Sequence, residues 1–536
     1  MNLPAYVDSL PNLCGSETLI AEAVSAVPRA HCRPRIDWAP VKSAYAIALH
    51  MHQPLIPDPD QELGHAPIVS NLKHMMDHPN VGDNHNAGVF HWCYKRMGEF
   101  IPQLVAEGRQ PRVMLDYSGT LLHGLYAMGL DDVFENLRLI TSDPRYRHCV
   151  EWLGCPWGHA VAPSTPIQDF RLHVQAWRHF FAALFGAEAL ARVQGFSPAE
   201  MALPNHPDVF YEFVRTLKDN GYRWVLVQEH SVEHVEDGRP LKYSHRPHKL
   251  VARNSQGQTL SITAIVKTQG SDTKLVGQMQ PYFEAMGLGR VELGLGSEKA
   301  RSGLYSSTKS PGSISWKNGQ SESMDARPGF EGEKSKTEVL PLQSRPDLLF
   351  SVSVPSLVTQ IADGENGGVM MNEFPPKYMQ VMAESSGTPT PPVNVSEYLD
   401  YLDSLGVREE SFPEIQPILQ HRIWERFELG AGPDELKRVI EQLSREDSRF
   451  HVEGGSWTNN ISWVRGYKDV LEPMAAASVM FNEKMLRPGV PTSDPRYRNA
   501  LFHLLTSQTS CYRYWGSGIW TDWGRELCRR TMEILH

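Results

Sequence analysis

The 536 residues are 41% apolar and 21% charged, ordinary for a soluble globular chain and enough for a large barrel with an accessory region. A formal charge of −10 and an isoelectric point near 6.1 argue against a nucleic-acid or anionic-membrane partner and fit a neutral substrate better. No uninterrupted apolar run reaches the roughly 18 residues a membrane helix needs, and the start lacks a secretory pattern, so a cytoplasmic location is expected.

Residues 1–42 read as an extension before the fold proper. Ala44–His50 is the first apolar, strand-like run, followed by Arg112–Asp116, Val150–Gly154, Val193–Phe196, Arg223–Gln228 and Val358–Ala362. His248–Val266 adds one or two strands, and Phe170–Leu184 and Val209–Asp219 have helical spacing. Strands alternating with helices imply parallel pairing, and so many units are expected to close into a barrel over residues 43–384. From about residue 294 to 336, Ser, Gly, Lys and Glu replace aliphatic residues, the composition of a long surface insertion. After the Pro-rich punctuation at Ser385–Pro392, residues 395–536 read as mainly helical, interrupted near Val452 to Tyr467.

The seven cysteines, Cys14, Cys32, Cys93, Cys149, Cys155, Cys511 and Cys528, are odd in number and form no CxxC pair. That argues against a disulfide framework or a cysteine-based zinc site. The hexapeptide Ser-Asp-Pro-Arg-Tyr-Arg occurs at 142 and again at 493, which a recurrent helix start with an Asp cap and Pro explains.

Three segments end apolar runs: His50-Met-His52-Gln53-Pro54, Gly195-Phe-Ser-Pro-Ala-Glu200-Met-Ala-Leu-Pro204 and Asp363-Gly-Glu365-Asn366. Carboxyl ends of parallel barrel strands converge on one face, where residues distant in sequence assemble a site. Two carboxylates delivered there match glycosidase chemistry, in which an ionised carboxylate attacks the anomeric carbon and a protonated one serves the leaving oxygen, about 5 Å apart for retention. Taken singly, a Glu in a Pro-flanked turn is a solvated loop residue and Asp-Gly-Glu-Asn is ordinary turn chemistry.

Together with Cys155-Pro-Trp157-Gly-His159 and Gly454-Gly-Ser-Trp457, these segments resemble, in order and approximate spacing over residues 44–520, glycoside hydrolase family 57. The resemblance implies an α/β fold, an incomplete TIM-like (β/α)7 barrel with a C-terminal mainly helical region that walls the cleft. It implies activity on α-glucans, as in α-amylases, 4-α-glucanotransferases and glycogen branching enzymes, without a cofactor or required metal.

By the same resemblance Glu200 is the nucleophile and Asp363 the acid/base, with His50, His52 and Gln53 lining the adjoining subsite. Trp157, His159, Glu365 and Trp457 are candidate substrate contacts, with core packing the competing role for Trp157. Asp116 and Trp152 are weaker candidates. Glu365, two residues beyond Asp363, is also read as a negative neighbour that keeps Asp363 protonated.

The chain departs from the family at Ser197-Pro198-Ala199, where Trp-Leu-Pro is common, so the turn carrying Glu200 is expected to be shaped differently. The expected partner is an α-glucan or maltooligosaccharide, with no nucleic acid and no membrane; oligomeric state is not encoded legibly. Two other readings use the same residues: a metal-dependent carbohydrate deacetylase or mannosidase with His50 and His52 around zinc, sensitive to chelator, and a catalytically silent glucan-binding homologue.

Overall fold

The computed structural model describes residues 3–27, 36–267, 279–294, 351–365, 374–457, 468–514 and 518–536. The expected insertion at 294–336 lies almost wholly outside them, as does the interruption beyond Trp457.

Seven parallel strands form the barrel: β1 (Ser43–Met51), β2 (Val113–Tyr117), β3 (Val150–Gly154), β4 (Gly195–Phe196), β5 (Trp224–Gln228), β6 (Thr259–Lys267) and β7 (Ser351–Asp363). Each pairs with the next in chain order, and β7 lies beside β1 from Ser356↔Ser43 to Asp363↔His50. Among the described residues β6 and β7 close the ring through a single register pair, Lys267↔Thr359.

Alternation along β1 separates two cores, because successive strand side chains point to opposite faces. Ala44, Ala46 and Ala48 face the lumen with Met114, Leu153, Trp224, Leu226, Ile265, Leu357 and Ile361. Tyr45, Ile47, Leu49 and Met51 face outward, under the surrounding helices. Alanines leave the lumen room for the Trp224 indole, and Gly195 completes that space: a Cβ there would lie 2.2 Å from Trp224 Cζ2.

Sequence reading left part of the sheet undefined. His248–Arg253 pairs antiparallel with β6, Glu414–Pro417, inside the segment read as helical, pairs parallel with His248–Arg253, and Val232–His234 lies antiparallel on the other side of Glu414–Pro417 as the outermost strand. The barrel is therefore flanked by a short sheet that continues from β6. Residues 3–27 form a small hairpin, Tyr6–Val7 with Leu10–Pro11, and the helix Glu17–Ala26. Leu13, Cys14 and Ile20 are buried in the same core as the helices Lys468–Phe481, Pro495–Ser507 and Ile519–Leu535. The six described cysteines are free thiols. Among the described residues no helix is long and apolar enough to cross a membrane.

The helix Val395–Ser404 stops the lumen at its amino-terminal end, and a buried carboxyl holds it there. Glu151 on β3 accepts the Ser396 N–H at 3.2 Å and the Ser396 hydroxyl, while Trp224 Nε1 donates to that hydroxyl at 3.1 Å. Burial pushes the Glu151 pKa up to about 7 despite these donors. The folded chain therefore binds this proton more tightly than the unfolded chain. The stability Glu151 contributes is full below its ordinary pKa of 4.5 and is lost as pH rises through about 7. Glu151→Gln, neutral at every pH, is expected to stabilise the protein by roughly 2–3 kcal/mol at pH 8 and hardly at all at pH 5. Melting temperatures at the two pH values measure this; an equal shift at both refutes it.

Candidate active site

The carboxyl ends of β7, β1 and β2 set three polar side chains in one row, since Asp363 pairs with His50 and His50 with Asp116. Side chains at paired positions of parallel strands share a face, so all three turn toward the lumen's open end. His50 Nδ1 donates to Asp116 Oδ2 at 2.8 Å. Burial alone would lower the His50 pKa, but the charge and hydrogen bond of Asp116, with the charges of Glu365 and Asp363, raise it to about 9. An imidazolium thus sits among the carboxylates at neutral pH. Asp116, a weaker candidate in the sequence, is the group that charges it.

His52 and His159 behave in the opposite way. Both are held well below the usual histidine pKa by burial, and the His50 charge pushes each further down, His52 adding to the effect on His159. The His52 and His159 rings stack 4.2 Å apart, and His50 and His159 4.6 Å apart. His52 Nδ1 meets the Ser118 hydroxyl at 2.8 Å, and its Nε2 faces Thr509 Oγ1 at 3.3 Å. Gln53 is buried, its Oε1 accepting from Asn71 Nδ2 at 2.9 Å.

Glu200 follows β4 on a single tight turn, Ala199–Met201, with φ 57° and ψ 22°; Met201 has φ 50°. Two consecutive non-glycine residues in the left-handed region are strained, and such strain persists only where surroundings enforce it. The enforcing contact is a two-residue ladder between Leu203 and Gly455, with N···O distances of 2.8 and 3.1 Å. Gly454 has φ 99°, and a Cβ there would meet the Leu203 carbonyl oxygen at 2.1 Å, so only glycine permits this approach. The ladder carries Trp457 onto Glu200: its N–H donates to the Glu200 carbonyl at 3.0 Å and its indole Nε1 to Glu200 Oε2 at 2.9 Å. The other carboxylate oxygen lies 3.8 Å from His159 Nδ1.

Ser510, which the sequence reading did not single out, joins His159 to Glu200. His159 Nδ1 and Ser510 Oγ are 2.8 Å apart, and Ser510 also hydrogen-bonds Glu200. Since Glu200 offers only acceptors when ionised, the serine hydroxyl donates to it and accepts from His159 Nδ1–H. Burial raises the Glu200 pKa above the ordinary carboxylate value and Asp363 adds to that, while the charge of His50 and the donors Ser510 and Trp457 pull it back. Trp457→Phe removes one donor and is expected to move the acidic limb of kcat/KM upward by roughly half a pH unit, the scale of one partly exposed hydrogen bond. An unmoved limb would show that the indole does not serve the carboxylate.

Asp363 is exposed at the mouth, whereas Glu365 is buried beneath it. Trp157 does not reach the cleft: it is wholly buried with its ring against Gly119 and Phe502. Trp457, 38% exposed, is the aromatic at the mouth. Trp152 packs under the helices between Tyr117 and Phe181. Asn366 lies outside the described residues. Among the described residues no group of three His, Cys, Asp or Glu side chains is arranged to hold a metal ion.

A model of the family described as glycosyl hydrolase family 57 matches residues 46–261, the stretch holding His50, His52, Gln53, Asp116, Trp157, His159 and Glu200. That stretch is similar to the family and covers less than half of the chain. Asp363, Glu365, Trp457 and Ser510 lie beyond the matched stretch and are tied to it by the contacts above.

Among solved structures, a family 57-type branching enzyme from Pyrococcus horikoshii is similar over 92% of this chain and 88% of its own, with a TM-score of 0.50 and 11% identity. That likeness shows the family 57 fold, the seven-stranded barrel with its helical region. A 4-α-glucanotransferase from Thermococcus litoralis has a TM-score of 0.49 and 14% identity over 92% of this chain, which spans 59% of that protein's length. An α-amylase from Thermotoga maritima has a TM-score of 0.48 and 11% identity, covering 92% of this chain and 93% of its own. No curated protein matches the sequence.

Proposed function

We propose that the chain is a retaining glycoside hydrolase acting on α-1,4-glucans such as starch, glycogen or maltooligosaccharides. The observation that carries this reading is Glu200: a strained, mostly buried carboxylate held by Trp457, Ser510 and His159 beside an imidazolium, with a second carboxyl, Asp363, whose charge it senses.

In the first step a Glu200 oxygen bonds to the anomeric carbon as the glycosidic bond breaks, and the Asp363 proton passes to the leaving oxygen. In the second, Asp363 takes a proton from water as that water attacks the anomeric carbon and releases Glu200. His50 bears the positive charge that favours ionised Glu200, and His159 supports that carboxylate through Ser510. If a glucan hydroxyl replaces water, the same centre performs 4-α-glucanotransfer or branching.

The test is incubation with maltoheptaose and amylose, with and without chelator, resolving products by length, linkage and reducing ends. New reducing ends, insensitive to chelator, are expected. Redistributed or branched chains without new ends would make it a transferase. Loss of activity to chelator would favour the zinc reading, and binding without turnover the silent homologue.

A further inference from the structure

We infer that Glu365 is a neutral carboxylic acid and a positioning residue, donating its proton in a hydrogen bond to Asp363. The inference rests on the double-displacement reading only for its kinetic consequence.

The geometry requires a proton between the two groups. Their carboxyls are in hydrogen-bond contact, and two carboxylates facing each other would be acceptors without a donor. The remaining bonds say which group keeps it. Glu365 Oε1 accepts from Tyr94 O–H at 2.9 Å and from the His52 N–H at 3.0 Å, marking it as the carbonyl oxygen and leaving the other to carry hydrogen. Asp363 Oδ1 accepts the Glu365 N–H at 3.0 Å, the bonding of an acceptor. Glu365 is 6% exposed while Asp363 stands at the mouth, so the charge costs more on Glu365.

The groups facing Glu365 are Tyr94, Cys93, Arg96, Tyr117, His50 and Asp363. The tyrosines and Cys93 stay uncharged, their pKa values pushed up chiefly by burial. Arg96, buried below, donates to the Gly364 carbonyl at 3.0 Å, and its charge and that of His50 favour an anionic Glu365. Burial, followed by the charge of Asp363, outweighs them and holds the Glu365 pKa well above the carboxylate range.

This changes what Glu365 does for catalysis. A negative neighbour would hold a proton on Asp363 by repulsion; with Glu365 keeping the one proton between them, Asp363 is the ionised partner at rest, takes up a second proton before the leaving oxygen receives it, and is aimed and stabilised as a carboxylate by the Glu365 donor. The bond keeps Asp363 directed through both steps, and Glu365 itself exchanges no proton with substrate.

Glu365→Gln separates the two roles, because a carboxamide accepts from Tyr94 and His52 and donates to Asp363 as the neutral acid does. It is expected to keep kcat/KM within about threefold and to leave the alkaline limb of its pH profile within about 0.3 unit. Glu365→Leu, unable to donate, should lower kcat by about tenfold or more with KM within about twofold. A fall of the alkaline limb by a unit or more in Glu365→Gln, or equal losses in both variants, overturns the inference. Infrared difference spectra of the folded protein need no substrate: a carboxylic-acid C=O band at pH 7, lost in Glu365→Gln, is expected, and its absence overturns the inference even if no α-glucan is turned over. Failure of turnover with the band present would refute the proposed function alone.

Discussion

Glu200→Gln is expected to reduce α-glucan turnover by about four orders of magnitude, the scale on which an enzyme loses its nucleophile. The substitution changes chemistry more than structure. A glutamine oxygen still accepts from the Trp457 indole, and the carboxamide fills the same volume, so the ladder between Leu203 and Gly455 and the left-handed turn remain. On the proposed double-displacement mechanism, what is lost is the capacity to form an ester with the anomeric carbon. Maltooligosaccharide affinity should stay within a few-fold, because the rings of His50, His52 and His159 are untouched. Trapping with a fluorinated α-glucosyl fluoride, whose enzyme ester forms quickly and decays slowly, should place one sugar on the peptide carrying Glu200. Label on another carboxylate, or a variant retaining more than about a hundredth of the activity, would overturn the assignment. Glu200→Gly adds a complementary case: the φ of 57° suits glycine, so this variant should fold at least as well as wild type while being equally inactive.

Asp363→Asn should lower kcat/KM by about 10²–10⁴ on natural glucans, the range for losing a general acid. The size should depend on the leaving group. A glucan oxygen needs a proton as its bond breaks, whereas a nitrophenolate does not, so the loss should shrink sharply on an aryl α-maltooligoside. The carboxamide introduced by this substitution retains an oxygen to accept the Glu365 N–H, which keeps the β7 terminus in place. Equal losses on both substrates would mean that Asp363 acts by binding rather than by proton transfer.

The barrel was legible because its strands bury one face or both and so declare themselves as apolar runs. Ala44–His50 is observed as Ser43–Met51 and Arg223–Gln228 as Trp224–Gln228. The run at Val358–Ala362 belongs to a strand that starts at Ser351, because its first residues pair with Arg290–Gly294 across a boundary no local pattern marks. Glu414–Pro417 was read as part of a helical region, since four residues are too short to show a period.

The structure brings together His50, His52, His159, Glu200, Asp363 and Trp457, each carried by a motif, and adds Ser510, which is defined only by distant partners. Ser510 is an ordinary serine until the bridge Ala160↔Thr509 lays its segment beside His159. Trp157 was a candidate sugar contact because its segment sits where the family resemblance has a motif, with core packing the competing role; the backbone turns its ring onto Gly119. Glu365 was read as negative from its spacing to Asp363; the burial that raises its pKa is invisible in sequence.

The supports of Glu200 arrive late in the chain. Trp457 follows Glu200 by 257 residues, and Ser510 follows His159 by 351. At synthesis rates of roughly 5–20 residues per second, Glu200 precedes Trp457 by roughly ten seconds to a minute. During that interval a growing polypeptide can own every barrel strand up to β7 and still have no working centre, because the turn around Glu200 has nothing to hold it in its left-handed shape. The turn around Glu200 thus takes its shape only when the downstream segments dock, and a chain stalled or cleaved before then is left with a barrel whose Glu200 lacks both Trp457 and Ser510.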